Sequence, residues 1–295
     1  MVSDDISKLK AIGKVFPEFR CSFLSILTFN QTALRMITDN SLAFHLKRDR
    51  LIIVSGLFFI AILSWLYTFY LYKQMVYMDM NALFFAMPMT PQWTYIDFIL
   101  LFLMWLVMMI AMMTPSISPL ILIFAKVNRQ RKQQDYPFSN TALLMSGYFL
   151  VWAVFSLAAT ALQWLLQQMS LLSPDMKTTS KILGSIILIT TGIFQFTPLK
   201  QTCLAHCRTP LNFVLQHWKE GKQGALRMGI ENGFYCLGCC WMLMVLLFVT
   251  GIMNLLWVSI IAIFVLVEKL LAQLKWIPYF AGTVLILYGI LILLK

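Results

Sequence analysis

Long apolar runs without a single charge constrain the fold of this chain more than any other feature of its sequence. The longest, Asn232–Val267, is 36 residues without Lys, Arg, Asp or Glu. A membrane-spanning helix needs only about 20 apolar residues, at a rise of about 1.5 Å per residue. One helix would be too long for this run, so we predict two short helices joined by a tight turn at Thr250 and Gly251.

Five more runs are long enough to predict membrane helices of their own. They are Leu51–Tyr72, Phe98–Ala125, Ser139–Gln168, Ile182–Leu199 and Trp276–Leu294. Pro115 and Pro119 lie inside the second of these and are expected to break it, since proline has no backbone N–H to donate. The predicted fold class is all-α, a polytopic membrane helix bundle with about seven transmembrane helices.

The composition excludes most soluble classes of protein. Apolar residues make up 60% and charged residues 12% of the 295 residues, whereas a soluble domain has about 45–50% and about 25%. A soluble enzyme, a disordered chain and a fibrous protein are therefore excluded, and the lipid bilayer is the expected surrounding. The net charge of +11 is first a topology signal, and nucleic acid is not an expected partner.

The distribution of Lys and Arg predicts how the bundle is oriented. Of the 23 basic residues, 19 fall on one predicted side and 4 on the other, which puts the N-terminus in the cytoplasm and the C-terminus outside. Residues 1–50 are predicted to be a cytoplasmic amphipathic and basic segment, and residues 51–295 a seven-helix transmembrane domain. Phe23–Ile37 is expected to lie along the inner membrane surface, with a partner-docking helix as the alternative.

Methionine is concentrated in one part of the chain. There are 19 Met, and ten of them lie between Met75 and Met113. Five are in or beside the predicted outer loop: Met75, Met78, Met80, Met87 and Met89. On the second predicted helix, Met104, Met108 and Met112 recur every four residues and share one face. Core packing is one interpretation of that face; the loop thioethers suit Cu(I), a soft ion.

One face of the fifth predicted span concentrates soft ligands. At about 100° per residue, an arc of about 140° carries three thiols, a thioether and a carboxamide. These belong to Cys236, Cys239, Cys240, Met244 and Asn232. Soft metals prefer thiolate and thioether ligands. The alternative is that cysteine packs there as a small buried hydrophobe.

A second pair of thiols, Cys203 and Cys207, is spaced i, i+4 after Pro198, with His206 beside it. The predicted topology puts this pair at the cytoplasmic end of the fourth span. Cysteines within one helix have poor geometry for bridging each other, and cytoplasmic thiols stay reduced, which favours metal ligation over disulfides. The predicted metal ligands are Cys236, Cys239, Cys240, Cys203, Cys207, Met244, Met108 and Met112.

Motifs of known enzyme classes are absent from the sequence. The three histidines, His45, His206 and His217, do not form the His-Glu-x-x-His pattern of a zinc hydrolase. There is no phosphate-binding loop and no dinucleotide-binding glycine pattern. We therefore expect a protein that is not an enzyme.

Three strings of this sequence resemble a known family. They are Met104–Pro119, Gln195–Pro210 and Gly233–Met244, and they are similar to the predicted metal-binding integral membrane proteins, the domain of unknown function 2182. The likeness runs from about Lys47 to the C-terminus and includes Glu268 and Lys269. It implies metal binding and a location in the bacterial inner membrane. At the position of Asn232 the family more often has His, so one candidate hard ligand is absent here.

Two classes of function follow from these residues. The first is a membrane protein that binds Cu(I), with zinc as the second candidate metal, and transports it, stores it or delivers it to a copper protein. The second is a thiol-based membrane oxidoreductase, which would need no thioethers. A third interpretation is an accessory subunit of a larger membrane complex, in which the sulfur atoms are only structural.

Overall fold

The computed structural model describes residues 40–77, 94–132, 141–172, 178, 180–252, 254–271 and 276–294. The chain divides into two compact units, Met1–Ile52 and Ile53–Lys295, and the first of these is described only at the start of one helix. In the described ranges the regular structure is helical, apart from an isolated bridge between Leu172 and Thr178. The domain boundary predicted at residue 50 stays a prediction.

The helices are named here in chain order. They are α1 (Asn40–Tyr77), α2 (Tyr95–Lys132), α3 (Thr141–Gln168), α4 (Lys181–Phe194), α5 (Pro198–Arg208), α6 (Pro210–Gln216), α7 (Gly221–Val245), α8 (Leu247–Thr250), α9 (Leu255–Leu270) and α10 (Trp276–Leu294).

Among the described residues, five stretches of helix are long and apolar enough to cross a membrane. These are Ile53–Lys73, Tyr95–Arg129, Thr141–Gln168, Gly221–Thr250 and Trp276–Leu294, and the bent pair α4 and α5 makes a sixth if it counts as one span. At 16 residues, α9 is about 24 Å long, which is shorter than the hydrocarbon core of about 30 Å. The count of seven spans and the cytoplasmic N-terminus therefore stay predictions.

The expectation that two prolines break the second span is wrong. Helix α2 continues from Tyr95 to Lys132 through both Pro115 and Pro119. Pro119 cannot donate to the carbonyl of Pro115, four residues earlier. The hydroxyl of Ser118 donates to that carbonyl instead, at 2.8 Å, so a side chain replaces the missing backbone donor.

The run Ile182–Leu199, predicted as one membrane helix, is interrupted by a bend. The helix ends at Phe194, and α5 starts at Pro198 with a bend of 62° between the two helix axes. Pro198 takes the first position of α5, where its missing N–H costs nothing, and the Thr197 hydroxyl caps that helix by accepting from the backbone N–H of Lys200. The bend turns α5 away from the line of α4 and towards α7, against which it packs.

The predicted turn at Thr250 and Gly251 is confirmed. Gly251 has a φ of 94°, a conformation that suits glycine because it lacks a Cβ atom. It separates the end of α8 from α9, and the first of the two helices begins earlier than predicted, at Gly221.

The most extensive helix contact joins α3 and α7. Two glycines on α7 allow it: a Cβ atom at Gly229 would collide with the carbonyl oxygen of Leu144, and one at Gly233 would lie 2.9 Å from a Val151 methyl group. Small residues let membrane helices approach closely. The contact places Tyr148 of α3 directly against the cysteine face of α7.

Candidate metal centre

The ligand face predicted on α7 lies inside the protein. Its five side chains are each at most 8% exposed: Asn232, Cys236, Cys239, Cys240 and Met244. Their common spacing of three and four residues puts them on one side of the helix. Thiols in such a setting have no competing water and must find protein partners, or a metal, for their polar atoms.

Helix α5 brings the second pair of cysteines against this face. A Cβ atom at Gly238 would lie 2.8 Å from the Sγ atom of Cys203, so the absence of a side chain there makes room for that thiol. The side chain of Cys207 on α5 lies beside that of Cys239 on α7. The five cysteines that the structure describes are all free thiols, and they meet between two helices whose sequence positions are about 30 residues apart.

An aromatic contact fixes how α5 lies on α7. The imidazole of His206 stacks on the ring of Tyr235, with the ring centroids 4.2 Å apart and the planes within 2° of parallel. The His206 Nδ1 atom is 2.9 Å from the carbonyl oxygen of Thr202. His206 is thus held beside the cysteines by stacking.

Cys236 has the most polar contacts in this region. Its Sγ atom shares a hydrogen bond with the Tyr148 hydroxyl at 3.0 Å and accepts one from the Lys269 ammonium at 2.9 Å. Its carbonyl oxygen accepts from the thiols of Cys239 at 3.0 Å and Cys240 at 2.9 Å. Residues of α3 and α9 therefore converge on one sulfur of α7.

Sequence reasoning missed Lys269 and Tyr148 as members of the site. Lys269 is 8% exposed and also donates to the Ser116 hydroxyl of α2 at 2.6 Å. A signal was present: Glu268 and Lys269 are the first charges after the 36-residue uncharged run, and charges at the end of such a run are rare and usually functional. Tyr148 lies 88 residues before Cys236 in the sequence, so the local spacing of residues could not predict this contact.

A buried ion pair lies next to the cysteines. The ammonium of Lys200 donates to both carboxylate oxygens of Glu268, at 2.8 and 3.0 Å, and also to the amide oxygen of Gln195. The Arg208 Nε donates to the backbone carbonyl of Glu268 at 2.8 Å. These bonds join the bend before α5, the end of α5 and the end of α9, and so fix α5 against the cysteine face.

Three of the methionines predicted from the sequence as metal ligands are buried inside the protein. Met244 is buried on α7, and Met108 and Met112 are buried on α2, one and two turns before Ser116 on the same face. Since Ser116 accepts from Lys269, the α2 stripe leads towards Cys236. The outer methionines lie outside the described side chains: Met75, Met78, Met80, Met87 and Met89.

A cavity of about 120 Å³ opens beside Cys236. The polar groups that line it include those of Ser116, Tyr148, Cys207, Arg208, Cys236 and Lys269. The lining therefore includes one cysteine of α5, one cysteine of α7 and the cations Arg208 and Lys269.

Among the described residues, no three His, Cys, Asp or Glu side chains surround a common point that could hold a metal ion. The sulfur atoms are neighbours, but Cys239 and Cys240 turn their thiols to the Cys236 carbonyl of their own helix.

Comparison with models of known protein families identifies a family for this chain. Neither the curated proteins nor the solved structures contain a match to this chain. A protein-family model described as PpoB2, copper chaperone, matches residues 102–292. That range covers the five described cysteines, the α2 methionine stripe, Lys200, Glu268 and Lys269. The chain therefore belongs to the PpoB2 copper chaperone family.

Proposed function

We propose that the protein takes Cu(I) as its cargo, holds the ion between the thiolates of α5 and α7, and passes it to a copper protein. One observation carries this function: the cysteine pair on α5 meets the cysteine triad on α7, with Cys203 packed at Gly238 and Cys207 beside Cys239. Cu(I) is soft and takes few ligands, so two or three of these sulfurs satisfy it. Membership in a copper chaperone family supports the choice of copper.

Zinc fits the same residues less well. Structural zinc is held by four ligands in a tetrahedron, from thiolate or imidazole. His206 is the histidine of α5 nearest these cysteines in sequence, and its ring is stacked on Tyr235. Thiolates bind zinc as well as Cu(I), whereas the thioethers nearby favour Cu(I).

Loading requires a small local change. In the structure the thiols of Cys239 and Cys240 donate to a backbone carbonyl. Copper binding replaces each S–H bond with an S–Cu bond, releases the proton and turns the side chain about its Cα–Cβ bond to another staggered position. The helix backbone does not have to move, because its own hydrogen bonds are independent of these thiols.

We further propose a route for the ion along the α2 stripe. The outer methionines act as weak first ligands, Met108 and Met112 as intermediate ones, and the cysteines as the final ones. Thiolates bind Cu(I) more tightly than thioethers, so the route runs downhill. The burial of Met108 and Met112 one and two turns from Ser116 supports this order.

The setting that fits these features is a bacterial inner membrane, with the N-terminus in the cytoplasm. The five apolar helices support a multi-pass membrane protein, and the charge asymmetry of the sequence supports the orientation. We propose that the protein is not an enzyme and that its partner is the copper protein that receives the ion.

Copper content of the purified protein tests the function. We expect wild type to retain Cu(I), the triple variant Cys236→Ser, Cys239→Ser, Cys240→Ser to lose it, and Cys203→Ser, Cys207→Ser to retain less. Serine keeps the volume but removes the soft ligand. Cys21→Ser is the matched control, since Cys21 lies outside residues 102–292 matched by the copper chaperone family. Unchanged copper in the triple variant would exclude this site.

A further inference from the structure

The cavity beside Cys236 carries an excess of positive charge. Its described lining includes Arg208 and Lys269 but no Asp or Glu. The nearest carboxylate, that of Glu268, lies within electrostatic reach of Arg208 but is hydrogen-bonded to Lys200. The three cations Lys200, Arg208 and Lys269 against the single anion Glu268 leave two positive charges at this place. Lys269 is buried and Arg208 is half-buried, and uncompensated positive charge in such surroundings favours an anion as the occupant.

One nitrogen of the Arg208 guanidinium group has no hydrogen-bond partner among the described residues. Its Nε atom is satisfied by the Glu268 carbonyl at 2.8 Å, whereas its Nη2 atom is buried and has no hydrogen-bond partner among the described residues. A guanidinium offers donors in a fixed fork that matches a carboxylate. Arg208 is one of the residues that line the cavity, and a buried donor without a partner there favours a ligand that can accept from it.

We propose that this cavity binds a small thiol that bears a carboxylate and that exchanges Cu(I) with Cys207 and Cys236. This step rests on the proposed copper function. The carboxylate of the thiol binds Arg208, with Lys269 contributing its charge. The sulfur of the thiol then lies beside the two cysteines that line the same space. Copper thus passes between the protein and a small anionic carrier inside the cavity.

The exchange balances without a redox step. A bond forms between Cu(I) and the sulfur of Cys207, and one Cu–S bond to the carrier breaks. The proton of the Cys207 thiol goes to the departing carrier thiolate. A second exchange of the same kind transfers the ion to Cys236. Copper stays Cu(I) throughout and no electron moves.

Two properties of the cavity favour a thiol over a simple anion such as chloride or phosphate. Cys207 and Cys236 line the same cavity as Arg208 and Lys269, so a ligand there is close to both thiols and to positive charge. A sulfur-free anion would satisfy Arg208 without taking part in exchange. The volume of about 120 Å³ suits a molecule of a few heavy atoms.

Alkylation without copper tests the anion preference directly. Iodoacetate and iodoacetamide have nearly the same size and differ in charge, and mass spectrometry measures their rates at Cys207 in the full-length protein. We expect Arg208→Gln to lower the ratio of the iodoacetate rate to the iodoacetamide rate about tenfold, because a local cation concentrates anions, whereas a change in the thiolate fraction of Cys207 affects both reagents alike. Arg208→Lys should keep the preference. Arg227→Gln, an exposed cation paired with Glu231, is the control.

Copper transfer tests the carrier. Cu(I) is presented to wild type and Arg208→Gln as its complex with mercaptoacetate, 2-mercaptoethanol or cysteamine, which are similar in size and differ in charge. We expect Arg208→Gln to slow loading from mercaptoacetate about tenfold and from the other two little. The effect should shrink as salt is added.

The outcomes separate the two proposals. Equal slowing with all three carriers, or no slowing with any, would overturn the anion site while leaving copper binding intact. The ratio of the two alkylation rates at Cys207 provides the second criterion. If that ratio is the same in wild type and in Arg208→Gln, the anion site is overturned as well. No loading of wild type from any carrier would overturn the copper function itself.

Discussion

The ammonium nitrogen of Lys269 lies 2.9 Å from the sulfur of Cys236, and the two residues are on different helices. Lys269 is in the last turn of α9, and Cys236 is in the middle of α7. A buried cation at hydrogen-bond distance stabilises negative charge on the sulfur. Two thiolates around Cu(I) carry one negative charge in total, so this cation matches the loaded state of the proposed site.

Removing that charge should weaken copper binding. We expect Lys269→Met to raise the Kd for Cu(I) by about tenfold or more, because a hydrogen bond to a charged group contributes about 1.5–3 kcal/mol. Competition with a chromophoric Cu(I) chelator measures the change. Lys181→Met is the control, since Lys181 is exposed at the start of α4. An unchanged Kd in Lys269→Met would contradict a role for Lys269 in charge compensation.

Filling the gap at Gly238 should disturb Cys203. A methyl group there would lie 2.8 Å from the Cys203 sulfur, so the thiol must rotate away at a cost of about 0.5–1.5 kcal/mol. We expect Gly238→Ala to lower Cu(I) affinity by up to about tenfold and to leave the helices intact. Chelator competition measures the affinity, and circular dichroism measures the helices.

Gly56→Ala provides the matched control for that substitution, because nothing lies within 4 Å of a Cβ atom at Gly56. If both alanine variants bind copper as wild type does, Cys203 is not a ligand.

The buried ion pair should dominate local stability. Replacing one partner of the Lys200–Glu268 pair leaves the other charge buried and uncompensated, which lowers the free energy of unfolding by about 3–5 kcal/mol. We therefore expect Lys200→Met and Glu268→Gln to unfold at lower temperature in detergent. The double variant Lys200→Met, Glu268→Leu should recover part of the loss, since both charges are then gone. A double variant less stable than either single one would mean that the pair contributes through other contacts.

The sequence predicts the helices of this protein better than it predicts the contacts between them. Uncharged runs mark the helices because lipid and protein interior both exclude charge, and spacing marks the cysteine face because helix geometry is local. The bend before Pro198 and the continuity of α2 through Pro115 depend on how individual backbone groups find substitute partners. Cys236 contacts Tyr148, 88 residues away in sequence, and Lys269, 33 residues away. These contacts depend on packing between helices, so a local sequence pattern cannot predict them.

The methionine stripe on α2 provides the last prediction. Leucine has nearly the volume of methionine but cannot bind copper, so Met108→Leu with Met112→Leu should cost less than about 1.5 kcal/mol per site in stability. The thiolates remain, so copper bound at equilibrium should be unchanged while uptake into vesicles slows. Met109→Leu with Met113→Leu is the control, because these residues are equally buried on a neighbouring stripe of the same helix. Equal slowing in both pairs would show that packing on α2, and not thioether ligation along one face, limits the movement of copper.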